Sequence, residues 1–388
     1  MRPLIIVDFP THYTTPLLAR LRAQVGAEII CLSEGDQQYW QAHLAKSAGS
    51  LAASLDATLC RGRRVSRHLS LNPSLTVALA KRDYDLVLME LSGRAELATA
   101  FSITRLRNKP FLLWTGLWTH PSTPFHRATW PLTRTLYRHS DALVVYGSHV
   151  RRFLVRSGVQ PERVFIAEHA VDNEFYGRPV GDEAVQAFRR QAGADSRPLI
   201  LAVARLVAQK GLDDLVAAAA SVRDLQPVVA IVGTGPLAAQ LAAQAAATGV
   251  ELKLVGGVPP ASMPVVYAAA DVFVMPSVTS PSIKECWGLA INEAMCQALP
   301  VIASDAVGAV AGGLVVDGVT GLVVREHDRS QLAVALRRLL TSPSERVRLG
   351  SAGLARVAQT SQAAMADAFQ AAFASVFGTD RRSASAAR

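Results

Sequence analysis

Apolar residues along this chain come in short blocks, most of them β-branched, and each block gives way to a turn and then to a helical stretch. Leu4–Phe9, Glu28–Leu32, Asp85–Glu90, Pro110–Thr115, Ala142–Gly147 and Val164–His169 read as strands in the first half. Helical patterns fall between them at Pro16–Val25, Ser74–Arg82, Ala95–Arg107 and Arg127–His139. The second half repeats the alternation. Its strands are Leu199–Arg205, Val228–Gly233, Leu252–Val255, Val272–Met275 and Pro300–Ser304, with an alanine-rich helix near Leu237–Ala247. Strands that are apolar throughout and alternate with helices imply parallel sheets covered on both faces. The fold class expected is α/β, with two Rossmann-like doubly wound domains facing across a cleft.

Glycine and proline at Gly177, Pro179, Gly181, Gly193 and Pro198 set a linker at 176–195. It separates an N-terminal domain over 1–175 from a C-terminal domain over 196–360. A helix over 361–378 is expected to pack back on the first domain, and the polar tail 379–388 to be disordered. A length of 388 residues fits two such domains.

Composition narrows the function classes. No run of eighteen apolar residues is present, and the apolar start before Asp8 is too short for a signal-peptide core. The four cysteines, Cys31, Cys60, Cys286 and Cys296, show no paired spacing, so a cytoplasmic setting is expected, peripheral at the inner face of a membrane. Residues 1–175 hold 21 Lys and Arg against 14 Asp and Glu, while the remainder holds 19 against 17. The excess lies in clusters such as Arg61–Arg67 and Arg151-Arg152, and it suits an anionic membrane surface or a phosphorylated acceptor. No aromatic-basic interleaving accompanies it, so no nucleic acid is expected as a partner.

Candidate chemistry gathers at the ends of strands in the second half. Arg205 ends a strand and Lys210 follows five residues later, where a parallel sheet holds the phosphates of a ligand. Gly233-Thr-Gly235 and Gly256-Gly257 follow strands and let backbone approach a ligand, without the spacing of a nicotinamide site. After the strand ending at Met275 comes Glu285-Cys-Trp-Gly288-Leu289-Ala290, then a helix holding Glu293. Free N–H groups at that helix start make an anion site at Gly288, Leu289 and Ala290. An acid beside an anion site fits a ligand with both a diphosphate and hydroxyls, which describes a nucleotide sugar.

These residues resemble the donor-binding signature of GT-B-fold retaining glycosyltransferases of family four. The likeness rests on Glu285-x7-Glu293 with Gly288, Arg205 and Lys210-Gly211. It extends over about 199–340, including Asp271-Val-Phe-Val-Met-Pro-Ser and Gly318-Val-Thr-Gly-Leu-Val-Val. The resemblance implies that Glu285 meets hydroxyls of the transferred sugar, that Glu293 meets the ribose, and that Arg205 and Lys210 hold the diphosphate and stabilise the leaving group. His169-Ala-Val-Asp172 resembles a turn of the same family. No cofactor and no metal are expected; the nucleotide sugar is a substrate, and a saccharide or lipid-linked acceptor would be held by the first domain.

That first domain departs from the family. Its first loop, Asp8–Pro16, has no glycine, and the strand that often ends in histidine runs Trp114-Thr115-Gly116. His12, Trp114, Thr115 and Gly116 are the acceptor-side candidates, with His120 or His126 replacing the missing histidine and His120 the catalytic choice. Asp83-Tyr-Asp85 resembles a metal-binding motif but opens a strand, the wrong end for a ligand. A nucleotide-sugar epimerase of the same architecture, a sugar phosphorylase and a non-catalytic nucleotide- or carbohydrate-binding protein remain open alternatives.

Overall fold

The computed structural model describes residues 1–33, 50–66 and 69–377. The tail over 379–388 lies outside them, as does Arg67 of the basic run. The chain forms two compact units, residues 1–168 with the segment from Gln362, and residues 169–361.

The first unit is built on β1 (Pro3–Val7), β2 (Glu28–Cys31), β3 (Thr58–Leu59), the hairpin β4 (Arg63–Ser66) and β5 (Leu69–Leu71), β6 (Leu86–Glu90), β7 (Phe111–Thr115), β8 (Ala142–Val145) and β9 (Val164–Ile166). All but the hairpin join one parallel sheet in the order β3-β2-β1-β6-β7-β8-β9. Every residue of β1, β7 and β8 is buried, as a sheet covered on both faces requires. One face packs Leu4, Ile6, Val87 and Leu113 into a common core. On the other, Trp114 meets Phe369 edge-on at 5.1 Å. Phe369 belongs to the helix Gln362–Ser375, which also packs on β8, β9 and the helix Thr14–Val25.

The second unit holds β10 (Leu199–Val203), β11 (Val228–Val232), β12 (Glu251–Gly256), β13 (Val272–Met275), β14 (Val301–Ser304) and β15 (Leu322–Val324). They form a parallel sheet ordered β12-β11-β10-β13-β14-β15. The α/β class expected from the alternation is the class observed. The hairpin, β3 and β15 are too short to have stood out by periodicity.

Where a linker was expected, the chain forms the helices Asn173–Tyr176 and Asp182–Ala192. Gly181 is the N-cap of the longer helix and Gly193 its left-handed C-cap at φ +76°. The glycines mark helix ends there rather than a loose connection, and the division between units falls at Glu168 and His169.

Candidate active site

In the second sheet the strand order reverses between β10 and β13. Ligands of doubly wound sheets bind beyond the carboxyl ends at such a reversal, where connections leave to opposite faces and open a crevice. Arg205 stands two residues past the end of β10. Its loop is bonded to the turn after β11: Leu206 N–H donates to Thr234 O at 2.9 Å, and Leu237 N–H to Leu206 O at 3.1 Å. Space there is tight. A Cβ at Gly233 would lie 1.9 Å from Ala204 O, and one at Gly235 would lie 2.5 Å from Leu206 O. These two glycines therefore make room for the Arg205 loop. Gly257 is exposed after β12, and the carbonyl of its neighbour Gly256 accepts from Gly233 N–H at 2.8 Å.

Lys210 closes a short 3-10 turn, and Gly211 continues it in the left-handed region at φ +59°. A Cβ at Gly211 would fall 2.0 Å from Pro276 O, so this turn packs directly on the loop after β13. Val278 N–H donates to Gln209 O at 2.8 Å. The packing brings the Lys210 ammonium onto the Glu285 carboxylate, to which it donates. Both side chains are mostly withdrawn from water, at 15% and 16% exposure, so the pair is more than a solvated surface contact.

Glu285 is held from several sides. The Ser277 hydroxyl donates to its carboxylate at 3.3 Å. Gly308 N–H donates to Glu285 O at 3.0 Å, and Ala309 N–H to Trp287 O at 2.8 Å. A side chain at Gly308 would sit 2.0 Å from Cys286 O, so glycine lets the loop after β14 close on the Glu285 backbone. Gly288 caps the helix Leu289–Cys296 at φ +99°, where a Cβ would meet Met275 Sδ at 2.6 Å. Leu289 and Ala290 begin that helix, and its first N–H groups have no partner within it. Two cations, a carboxylate and a helix N-terminus thus gather at one strand-order reversal.

Glu293 lies deeper. It is 2% exposed, and the Tyr267 hydroxyl donates to its carboxylate. Burial and its contact with Glu293 hold the Tyr176 phenol far above its ordinary range. The Trp287 indole donates to Asn292 Oδ1 at 2.9 Å, and Asn292 Nδ2 to His169 O at 3.1 Å, which ties the His169–Asp172 turn to this helix. Asp172 caps the next helix by accepting from Phe175 N–H at 3.0 Å. Ser277, Gly308, Tyr267 and Tyr176 were not foreseen. Gly308 and Ser277 each lie soon after a strand, whereas Tyr267 and Tyr176 act across tens of residues.

In the first unit, Thr115 ends β7 and is 3% exposed, with its hydroxyl accepting from Leu117 N–H at 3.2 Å. Trp114 and Gly116 beside it are buried. His120 is occupied locally: Nε2 lies 2.8 Å from His126 O, and the ring packs on Trp130 at 4.2 Å. His12 stacks on Tyr13 at 3.7 Å, and burial pushes its imidazole down to about 4, so it is neutral at physiological pH. The glycine-free first loop is pinned by a reciprocal pair, Thr11 N–H to Thr14 Oγ1 at 2.9 Å and Thr14 N–H to Thr11 Oγ1 at 3.1 Å. Asp83 and Asp85 sit at the opposite sheet edge, bound by the Arg2 side chain and by Arg2 N–H at 2.7 Å. Among the described residues, no group of three His, Cys, Asp or Glu is placed to hold a metal ion.

Comparison with known proteins agrees with this geometry. The family model for glycosyl transferases group 1 matches residues 185–356. A GDP-mannose-dependent phosphatidylinositol monomannoside mannosyltransferase of Mycobacterium tuberculosis is 31% identical over 319 residues, covering 77% of this chain and 80% of that protein. An alpha-D-kanosaminyltransferase of Streptomyces kanamyceticus is 31% identical over 242 residues, 59% of this chain and 60% of that protein. The match thus spans under two thirds of the kanosaminyltransferase's length. The crystal structure of Anabaena HepE in complex with UDP shares the fold, with a TM-score of 0.77 at 17% identity over 97% of this chain and 100% of that one. On these matches and on its two parallel sheets, the chain belongs to the GT-B-fold glycosyltransferases of the group 1, family-four type.

Proposed function

We propose that this protein moves a hexosyl group from a nucleotide diphosphate sugar to a saccharide or lipid-linked acceptor, with retention, in polysaccharide or glycolipid assembly. The observation that carries the reading is the meeting of Arg205, Lys210, Glu285 and the helix starting at Leu289 at the β10/β13 reversal. The donor diphosphate takes the Lys210 ammonium from Glu285, which frees that carboxylate for hydroxyls of the transferred sugar. As the bond from the anomeric carbon to the diphosphate breaks, Arg205, Lys210 and the helix N-terminus meet the growing negative charge. The new bond forms to the acceptor oxygen, whose proton leaves with the nucleoside diphosphate. Glu293 reaches the ribose side from the same helix, anchored by its tyrosines. No metal is assigned to any step.

An anionic membrane is the proposed setting of the acceptor. In the helix Pro124–His139, Arg127, Arg134 and Arg138 share one exposed line, and neither that helix nor Ser148–Arg156 contains an acidic residue. No helix among the described residues is long and apolar enough to cross a membrane. Vesicles with anionic lipid should retain the protein at low salt and release it at high salt.

A thermal-shift screen of UDP, GDP, ADP and their sugars tests the donor claim. One nucleotide series should raise Tm by the mass-action term, and a flat screen sinks the proposal. Glu285→Gln separates an enzyme from a silent binder: transfer should vanish while nucleotide still stabilises the variant. Turnover of donor with no acceptor present would favour an epimerase instead.

A further inference from the structure

The first sheet also reverses its strand order, between β1 and β6, and what stands there is not cationic. Asp8 is the first residue past β1, and Glu90 is the last of β6. The strands run in register, Ile6 beside Met89, so Val7 and then Asp8 pass alongside Glu90. The Asp8 main-chain N–H donates to the Glu90 carboxylate. Asp8 in turn accepts from the Ser33 hydroxyl at 3.1 Å. On the other side, Glu90 is the register partner of Trp114 in β7. Residues level with each other on neighbouring strands leave the same face of the sheet, so Glu90 and Trp114 share one face at neighbouring strand ends.

Trp114 supplies an independent sign. It is fully buried, yet its indole Nε1–H has no hydrogen-bond partner among the described residues. Buried donors are almost always paired, because leaving one unmet forfeits its hydration without return. Here the residue with the unmet donor is the register partner of a carboxyl-bearing one, at strand ends next to the crevice where such a sheet takes its ligand. A donor next to an acceptor is the complement of one hydroxyl group, which accepts from the indole and donates to the carboxylate. An anion would be repelled by Asp8 and Glu90, so the chemistry selects a neutral polyol.

We propose that Glu90 and Trp114 form a hydroxyl-recognition subsite for the acceptor saccharide, with Asp8 fixing Glu90 through its main-chain N–H. The proposal rests on the glycosyltransferase reading and names the residues of the first unit that bind the acceptor. It also accounts for the missing histidine at the end of β7: recognition there is assigned to the neighbouring strand end. Withdrawal from water and the nearby Asp8 charge push the Glu90 carboxyl up to about 7.

The test uses octyl α-mannoside and octyl β-glucoside as surrogate acceptors, with the full chain and two variants, Glu90→Gln and Trp114→Phe. Saturation-transfer NMR and acceptor KM are measured beside nucleotide binding by thermal shift. Glu90→Gln should weaken glycoside binding about tenfold, the usual loss for one hydrogen bond to a charged group, and leave nucleotide binding unchanged. Trp114→Phe keeps the ring and should weaken glycoside binding by a smaller factor. It also assigns the Trp114 indole N–H resonance, which in the unaltered protein should move on glycoside addition. An unshifted indole resonance, wild-type glycoside affinity in folded Glu90→Gln, or no glycoside binding to the unaltered protein each overturns the subsite. Loss of the nucleotide response in the unaltered protein sinks the donor reading separately, because glycoside binding is read without it.

Discussion

The two units share a plan and differ in charge at the same structural address. In each, a parallel sheet reverses its strand order beside the first strand of the unit, β1 against β6 and β10 against β13. In the second, the reversal holds Arg205 and the Lys210–Glu285 pair. In the first it holds Asp8 and Glu90. A fold fixes where a ligand goes, and side chains fix which ligand. Cations with a helix N-terminus suit a diphosphate; carboxylates with an indole N–H suit hydroxyls. The sharpest way to break this contrast is Lys210→Ala. On the proposed function it removes a charge that meets the leaving group, and it strands the Glu285 carboxylate at 16% exposure. Turnover should fall by about 10²–10³-fold. A fall of only a few-fold would mean that the ion pair is structural and that the cationic address does no chemistry.

The loops at the two addresses are also built differently. The second unit uses glycine because backbone crowds backbone: a Cβ at Gly233 would lie 1.9 Å from Ala204 O, at φ +137°. The first uses side chains, the reciprocal Thr11 and Thr14 bonds. Gly233→Ala should therefore lower stability by about 3 kcal/mol in urea unfolding, from strain and overpacking together. Thr11→Ala should lower it by about 1 kcal/mol, the usual net worth of a hydrogen bond, by removing the acceptor of Thr14 N–H. Equal losses would erase the distinction between a loop limited by space and one held by hydrogen bonds.

Legibility in the sequence followed the range of the interactions. The long strands could be placed because a β-branched block buried on both faces has no other stable use; β3, with two residues, carries no period. Arg205 and Lys210 could be picked out because a charge soon after a strand stands at a known sheet edge, and Glu285 and Gly288 because they lie just ahead of a helix start. Glu90 could not. It ends a strand as an ordinary polar residue, and only the pairing of β6 with β1 and β7 reveals its neighbours. Tyr267 and Tyr176 reach Glu293 from other elements, so no local pattern marks them. Gly177, Gly181 and Gly193 show the reverse: they punctuate a linker and a helix end alike, and here all three are helix caps, with φ positive at Gly193 alone.

The smallest effect tests whether the acidic address carries a stability cost. Glu90 has its carboxyl raised from 4.5 to about 7, first by burial and then by the Asp8 charge facing it from β1. The folded protein therefore binds a proton more tightly than the unfolded chain between those values. Stability from this group is complete below about pH 4.5 and declines as pH rises toward 7, where the folded protein must hold a buried charge. Glutamine has no proton to lose. Glu90→Gln should match the unaltered protein near pH 4.5 and exceed it at pH 8, read as a higher Tm. Such a gain, found together with weaker glycoside binding, would mark Glu90 as a residue kept for recognition against the interest of the fold. A variant less stable at pH 8 would instead make Glu90 part of the scaffold, and the contrast between the two addresses would reduce to one functional site and one structural one.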